Sequence, residues 1–437
     1  MAKSHLVLIL LLLIHLFLLL NLRFEAWPEM LMYPYLNLHG FLQYKDIIHP
    51  YPPLTVWVLS GYFRITDISI LALQALTWTI ILIIDTLVFY IARKKYGKFP
   101  ALIALMFFVI WQPLLDGNGL WFDLMLTPIL LLAFYRQSPA LLSITFFFKQ
   151  TAFWLFPLFL GQWKKLLISL AVIFVIILIP FIYYNSLSNY LFWAWRFPFT
   201  IFPHMPGHRE FGSWHLWIIG ITPLILPLAI KLISSKRLPK IVPTEPLWWT
   251  IFSVPFIFPR FGLFHFQPAL AFAAIALAQN IKKAKLVPLI LIPYSIFISL
   301  LWFRQVKYFW HQPPRFFEPQ IVAAAQKLQQ TTSRDQRLLF INAPEQLLIL
   351  ARRLPTKPWA ETFPWYLEAP GLQSEIVANA TTEREHGIVF IPYQDQGQFT
   401  PWSYIPAQID QYRQQFTQQI SLGENMYLLK NLRYETP

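Results

Sequence analysis

The stretch Glu29–Leu54, EMLMYPYLNLHGFLQYKDIIHPYPPL, decides how the rest of the chain is read. It follows the first of many apolar runs and sets Glu29, His39, Lys45, Asp46 and His49 among aromatic rings and prolines. A plain membrane anchor has no use for such a loop, because an ionised carboxylate at a bilayer face pays a desolvation cost unless it is paired or wet. The run before it, Leu6–Leu22, is long enough to cross about 30 Å of hydrocarbon at about 1.5 Å per residue. Only Lys3 precedes that run, and no small-x-small cleavage motif separates it from the acidic loop. It is therefore expected to stay as a first span rather than leave as a signal peptide.

Composition points the same way. Of 437 residues 56% are hydrophobic, 18% aromatic and 13% charged, which describes a polytopic α-helical membrane protein and not a soluble globule. The net charge of +14 invites a nucleic-acid reading, but the placement of the charges excludes it. Arg93-Lys94-Lys95-Lys98, Arg136, Lys164-Lys165, Lys231-Lys236-Arg237-Lys240 and Lys282-Lys283-Lys285 each sit in a short connector between apolar runs. That is the positive-inside pattern, which sets topology. The chain has no cysteine, hence no disulfide and no thiolate metal site.

With Lys3 and the basic connectors in the cytoplasm, the first span delivers residues 23–67 to the outer face. Spans near 68–92, 99–113 and 120–135 follow. The run 138–161 starts and ends inside and is expected to be a hairpin of two short helices with Lys149-Gln150 at its tip. Spans near 166–184 and 213–231 enclose an outer loop, the run 246–279 is a second hairpin with Pro259–Gln267 outside, and a last span lies near 286–302. This makes about eleven transmembrane or re-entrant helices over 1–303. From Arg304 the composition turns polar, and 304–437 is expected to be a small extracytoplasmic α/β domain. Its helices are expected at Phe317–Gln330 and Ala407–Gln419, and its strands at Arg337–Ile341, Gly387–Ile391 and Glu424–Leu429.

Several side chains on the outer side carry chemistry. Glu29 and Asp46 are carboxylates suited to act as a general base for a hydroxyl or amine, or to stand as solvated loop acids. Lys149 lies between two apolar halves, where either an anion such as a lipid phosphate or an acid such as Asp123 offsets its cost. Arg260 and His265 sit among aromatics in Pro259–Pro268, and a guanidinium grips phosphate oxygens with a planar fork of donors. In Trp111–Asp123, WQPLLDGNGLWFD, Asp123 opens a span and Asp116 reads as the turn residue of Asp-Gly-Asn-Gly. His204 and His208 are four apart, but Pro206-Gly207 breaks any helix between them, so no metal pair is expected there. Walker A, Rossmann, HExxH and GxSxG motifs are absent, which points to a lipid-linked donor used on the outer face.

Glu29, Gly40, Tyr44-Lys45-Asp46 and Tyr51-Pro52-Pro53-Leu54 together resemble the first outer loop of integral-membrane glycosyltransferases with the C-type fold. The nearest group is glycosyltransferase family 39, the dolichyl-phosphate-mannose and aminoarabinose transferase-like enzymes. Arg260 with His265-Phe266-Gln267-Pro268 resembles their late Arg…His-Tyr-x-x-Pro element, and Lys149-Gln150 resembles a lysine-bearing hairpin tip of many relatives. The family usually shows Asp-Glu where this chain has Pro28-Glu29, so Glu25 stands as an alternative base.

The resemblance implies inverting transfer of a sugar from a polyprenyl-phosphate donor to a lipid, glycan or protein acceptor. It makes Glu29 the base, has Lys149 and Arg260 bind the carrier phosphate, and has Asp46 and His49 shape the acceptor or sugar pocket. No cofactor follows from it with certainty, a divalent metal is left open, and the expected location is the cell membrane with a cytoplasmic N-terminus. The competing readings are a transporter or flippase of a lipid-linked glycan, which would show paired halves with broken helices, and a noncatalytic membrane scaffold.

Overall fold

The computed structural model describes residues 2–205, 209–234, 244–281, 287–361, 364–382, 386–392, 405–423 and 425–430. The basic residues Lys236, Arg237, Lys240, Lys282, Lys283 and Lys285, together with His208, lie outside them. The chain divides into two compact units: residues 1–25, 70–177 and 210–312 form the first, and residues 26–69, 178–209 and 313–437 the second.

The first unit is a bundle. Its helices include Ala2–Asn21, Ile70–Tyr96, Lys98–Trp111, Phe122–Arg136, Trp214–Ser234, Gln267–Asn280 and Val287–Phe309. Two short helical stretches, Pro139–Phe146 and Gln150–Gln162, flank Lys149. Glu245–Ser253 and Gln267–Asn280 likewise flank the turn that carries Arg260 and His265.

The helix Gln267–Asn280 forms the centre. Every residue from Ala269 to Ala278 is buried, and its alanines let neighbouring backbones come close. The periphery is inverted relative to a soluble protein. Leu6, Ile9, Leu10, Leu13, Phe17 and Leu20 on the first helix are more than half exposed, as are Ile292, Ile296, Leu300 and Phe303 on the last. Side chains spaced three or four apart make continuous apolar stripes, a surface that suits lipid and not water. Among the described residues three helical runs are long and apolar enough to cross a membrane singly: Ile70–Tyr96, Gln150–Tyr183, in which Gln150–Gln162 continues into Trp163–Tyr183, and Trp214–Leu232.

The second unit combines the first loop with the C-terminal α/β part. Its strands are β1 (Ile47–Ile48), β2 (Arg337–Ile341), β3 (Leu354–Pro355), β4 (Trp359–Ala360), β5 (His386–Phe390), β6 (Gln418–Gly423) and β7 (Met426–Lys430). Five of them form one sheet in the order β3-β2-β5-β7-β6, parallel from β3 to β5 and antiparallel from β5 to β6. The helix expected over Ala407–Gln419 ends at Arg413, and residues 418–423 form edge strand β6 instead. Ile420 and Leu422 alternate with Gln419, Ser421 and Gly423, a period-two pattern that pairing with β7 stabilises. The strands β1 and β4 pair in parallel, Ile47 with Trp359 and Ile48 with Ala360, which joins the loop to the C-terminal part.

Candidate active site

Glu29 opens the short helix Glu29–Leu38, which follows Pro28 and ends where Gly40 turns the chain at a φ of +82°. A carboxylate in the first helical turn is favoured by the helix dipole. Tyr35 on this helix donates from its hydroxyl to the Arg353 carbonyl at 3.0 Å, and burial raises its phenol to about 12.

The loop then wraps around Tyr44. This residue has a φ of +66°, a left-handed conformation that costs a non-glycine residue energy and persists only where packing holds it. Here the ring is buried and stacked on His49 at 4.9 Å, and its hydroxyl donates to the Tyr51 carbonyl at 2.7 Å.

Asp46 is tied on two sides. It accepts from the Leu42 amide at 2.9 Å and pairs with Lys357 at 2.8 Å. This acid therefore braces the β1–β4 connection and does not stand alone in a pocket.

His49 is fully buried between Tyr33 and Tyr44. Its Nε2 meets the Gln43 amide nitrogen at 2.7 Å, an arrangement in which the amide donates and Nδ1 carries the proton. Among the described residues the His49 Nδ1, Gln43 Oε1, Tyr33 and Thr55 hydroxyls and Trp359 Nε1 are buried without a hydrogen-bond partner. Buried polar groups are nearly always satisfied, so such a cluster is what a bound polyhydroxyl molecule or ordered water completes.

Burial pushes the His49 imidazole down to about 3. Below about pH 6.5 the unfolded chain takes a proton that the folded chain refuses. The stability this site contributes is thus present above that pH and lost as pH falls toward about 3, by up to about 1.4 kcal/mol per pH unit. Thermal melts of the purified full chain should show a falling midpoint between pH 6 and 4, and His49→Gln should flatten that dependence.

In the first unit, Asp123, Lys149 and His265 come together. The Lys149 ammonium lies 2.7 Å from Asp123 Oδ2 and 3.1 Å from His265 Nδ1, and that imidazole nitrogen is 2.6 Å from the same Asp123 oxygen. Lys149 also donates to the Phe256 carbonyl at 3.4 Å. All three side chains are buried. Of the two partners open to Lys149 in the sequence, the acid is the one in place. Its charge is met by Asp123.

Arg260 pairs with Glu210 at 2.9 Å, in a bridge where Glu210 is 43% exposed and the arginine 21%. The alternative base Glu25 is buried and held by Arg23 at 2.8 Å, and Gly119 packs so closely on the Glu25 backbone that no side chain fits there. Asp116 is the left-handed turn residue of its loop, with a φ of +49°. Among the described residues no three His, Asp or Glu side chains cluster closely enough to hold a metal ion.

A second buried network escaped the sequence reading. His15 Nδ1 lies 2.7 Å from Asp85 Oδ2, and His15 Nε2 lies 3.2 Å from Gln112 Oε1. Each ionisable residue sits inside an apolar helix, which was itself a signal that it had a partner.

No family model matches the chain, and no curated protein matches it. Two crystal structures of ArnT from Cupriavidus metallidurans do resemble it in fold. The one bound to undecaprenyl phosphate has a TM-score of 0.60 at 12% identity, covering 99% of this chain and 98% of that one. The apo structure has a TM-score of 0.63 at 12% identity, covering 98% of each. The chain thus shares the fold of the two ArnT structures over nearly its whole length.

Proposed function

We propose that the protein transfers a sugar from a polyprenyl-phosphate donor to an acceptor on the outer face of the membrane. About eleven transmembrane or re-entrant helices, a cytoplasmic N-terminus and an extracytoplasmic C-terminal α/β domain complete this reading. The observation that carries it is the full-length likeness to ArnT, a protein crystallised with undecaprenyl phosphate. The loop chemistry supports it: a carboxylate at a helix start and a cluster of unsatisfied buried donors and acceptors.

In this reaction an acceptor hydroxyl or amine attacks the anomeric carbon and gives its proton to Glu29. The bond from that carbon to the phosphate oxygen breaks, its electron pair stays on the polyprenyl phosphate, and the configuration inverts. Arg260 is the phosphate ligand. Its pair with half-exposed Glu210 is a surface bridge worth little, so the carrier phosphate, singly charged in the donor and gaining its second charge as the sugar leaves, can displace the glutamate. Lys149, Asp123 and His265 lock the chain segments around the turn that carries Arg260. His49, Gln43 and Tyr33 meet the hydroxyls of the acceptor or sugar.

The test is transfer from radiolabelled polyprenyl-phosphate sugars in purified membranes. Arg260→Ala should lower kcat/KM about 10- to 100-fold, the range of a lost charge-assisted hydrogen bond, with the loss carried by the donor and not the acceptor. Unchanged donor kinetics in that variant would remove Arg260 from the phosphate site.

A further inference from the structure

We propose that the second unit carries an oxyanion site for a phosphate group, built by Arg337 and Lys357 beside the Phe41 ring, with Arg352 at its rim. The site goes beyond the transferase reading. Arg260, the phosphate ligand of that reading, belongs to the first unit, and none of these four residues has a part in it.

The sheet topology gathers the charges. Strands β2 and β3 are parallel, with Arg337 beside Leu354. The residues just before each strand therefore lie at one end of the sheet, and they are basic: Arg334 before β2, Arg352 and Arg353 before β3. Lys357 follows β3 and leads into β4, whose pairing with β1 brings in the loop that holds Phe41 and Asp46. The Lys357 ammonium lies 4.5 Å from the centre of the Phe41 ring and the Arg337 guanidinium 5.5 Å from it. The two cations are thus at most about 10 Å apart. One phosphate that accepts a hydrogen bond of about 2.8 Å on each side joins donors roughly 8 Å apart, so small side-chain movements let both reach it.

Two arginines at this corner have different duties. Arg353 is buried and commits its fork to the chain. It donates from Nε to the Thr332 hydroxyl at 2.9 Å, from Nη2 to the Thr332 carbonyl at 2.7 Å and from Nη1 to the Ala351 carbonyl at 3.0 Å. Arg353 is the brace. Arg337, in contrast, makes no ion pair among the described residues, and its Nη1 is buried with no hydrogen-bond partner among them. A buried guanidinium nitrogen without an acceptor is costly, and phosphate oxygens are the acceptors that match its planar fork. The acids of the corner do not fill the place. Asp335 is exposed, and Asp46 is held by Lys357 and the Leu42 amide. Lys357 has two further N–H donors beyond the one on Asp46.

Arg352 adds a backbone observation. It closes the helix Gln346–Ala351 at a φ of +54°, a left-handed position that glycine usually fills. Arginine costs more than glycine there, and its exposed side chain adds a positive charge at the rim. The charges lie close enough to act on one group. Burial raises the Tyr35 phenol, and Arg353, Arg352, Arg337 and Arg334 all pull it down.

The test is binding of inorganic phosphate to the purified full-length chain, by isothermal titration calorimetry in chloride buffer of fixed ionic strength. Every protein carries Arg260→Ala, so that the transferase phosphate ligand adds nothing to the signal. Saturable binding near one phosphate per chain is expected. Arg337→Gln should weaken it about 10-fold or more, the range of a lost charge-assisted hydrogen bond. Arg337→Lys keeps the charge without the fork and should fall between. Arg352→Gln, an exposed change that the fold tolerates, should weaken binding several-fold. Arg304→Gln removes an exposed charge from the helix Val287–Phe309 and should leave binding unchanged. No saturable binding, full binding in both Arg337→Gln and Arg352→Gln, or an equal loss in Arg304→Gln overturns the proposal.

Native mass spectrometry after incubation with phosphatidylglycerol then identifies the source of the phosphate. Bound lipid that disappears in Arg337→Gln assigns the site to a lipid headgroup. Equal lipid in both proteins, with phosphate binding lost in the variant, assigns it to a soluble phosphate group. Neither arm reads sugar transfer, so a failure of the transferase reading leaves this result standing.

Discussion

Glu29→Gln should abolish sugar transfer, lowering kcat by about 10²- to 10⁴-fold, the usual contribution of a positioned general base. The substitution is nearly isosteric and removes a charge from the first turn of the helix Glu29–Leu38, a change worth only about 0.3–1 kcal/mol of helix stability. The fold should therefore survive, and the thermal midpoint of the variant should stay near that of wild type. Transfer measured with saturating donor and acceptor separates the base from a binding role, because a lost base lowers kcat while a lost contact raises KM. Undiminished transfer in Glu29→Gln would sink the assignment. Glu25, paired with the part-exposed Arg23, would then be the next carboxylate to test.

Asp123→Ala should be the most destabilising single change in the first unit, at about 3–5 kcal/mol, because it leaves the Lys149 ammonium buried and uncompensated. Removing both charges is a different matter. Asp123→Asn with Lys149→Met replaces a buried ion pair by groups that need no counter-charge, and most of the lost stability should return. Thermal unfolding of the detergent-purified chain reads both variants. The combination also separates scaffold from chemistry. If Lys149 acts only by pairing with Asp123, the folded double variant keeps donor binding; if its charge holds the carrier phosphate, the double variant is stable and inactive.

Much of the architecture is legible in the sequence, because a bilayer makes local sequence decisive. A span must satisfy its own backbone hydrogen bonds and show apolar side chains to lipid, so runs such as Ile70–Tyr96 and Trp163–Tyr183 announce themselves by composition. The basic connectors then order the runs. The odd case, 138–161, flanked by positive charge at both ends, was expected to form two short helices around Lys149; Pro139–Phe146 is short, but Gln150–Gln162 runs on without a break into Trp163–Tyr183. Strand β6 was missed because its Gln-Gln-Ile-Ser run follows a helix with similar polar content, and its identity depends on pairing with β7.

The site divides differently. Sequence alone marked Glu29, Asp46, His49, Asp123, Lys149, Arg260 and His265, since ionisable groups in apolar surroundings are costly enough to need a reason. It left the partners open. Which acid meets Lys149 is a contact across 26 residues, and the link of His265 to Asp123 spans 142. No periodicity encodes such distances. Hydrophobic periodicity and charge placement act over one span or one connector, so the sequence by itself determined the membrane fold and the candidate residues. Coulomb pairing and burial act between segments far apart in the chain, so only the tertiary structure decided which charges neutralise each other.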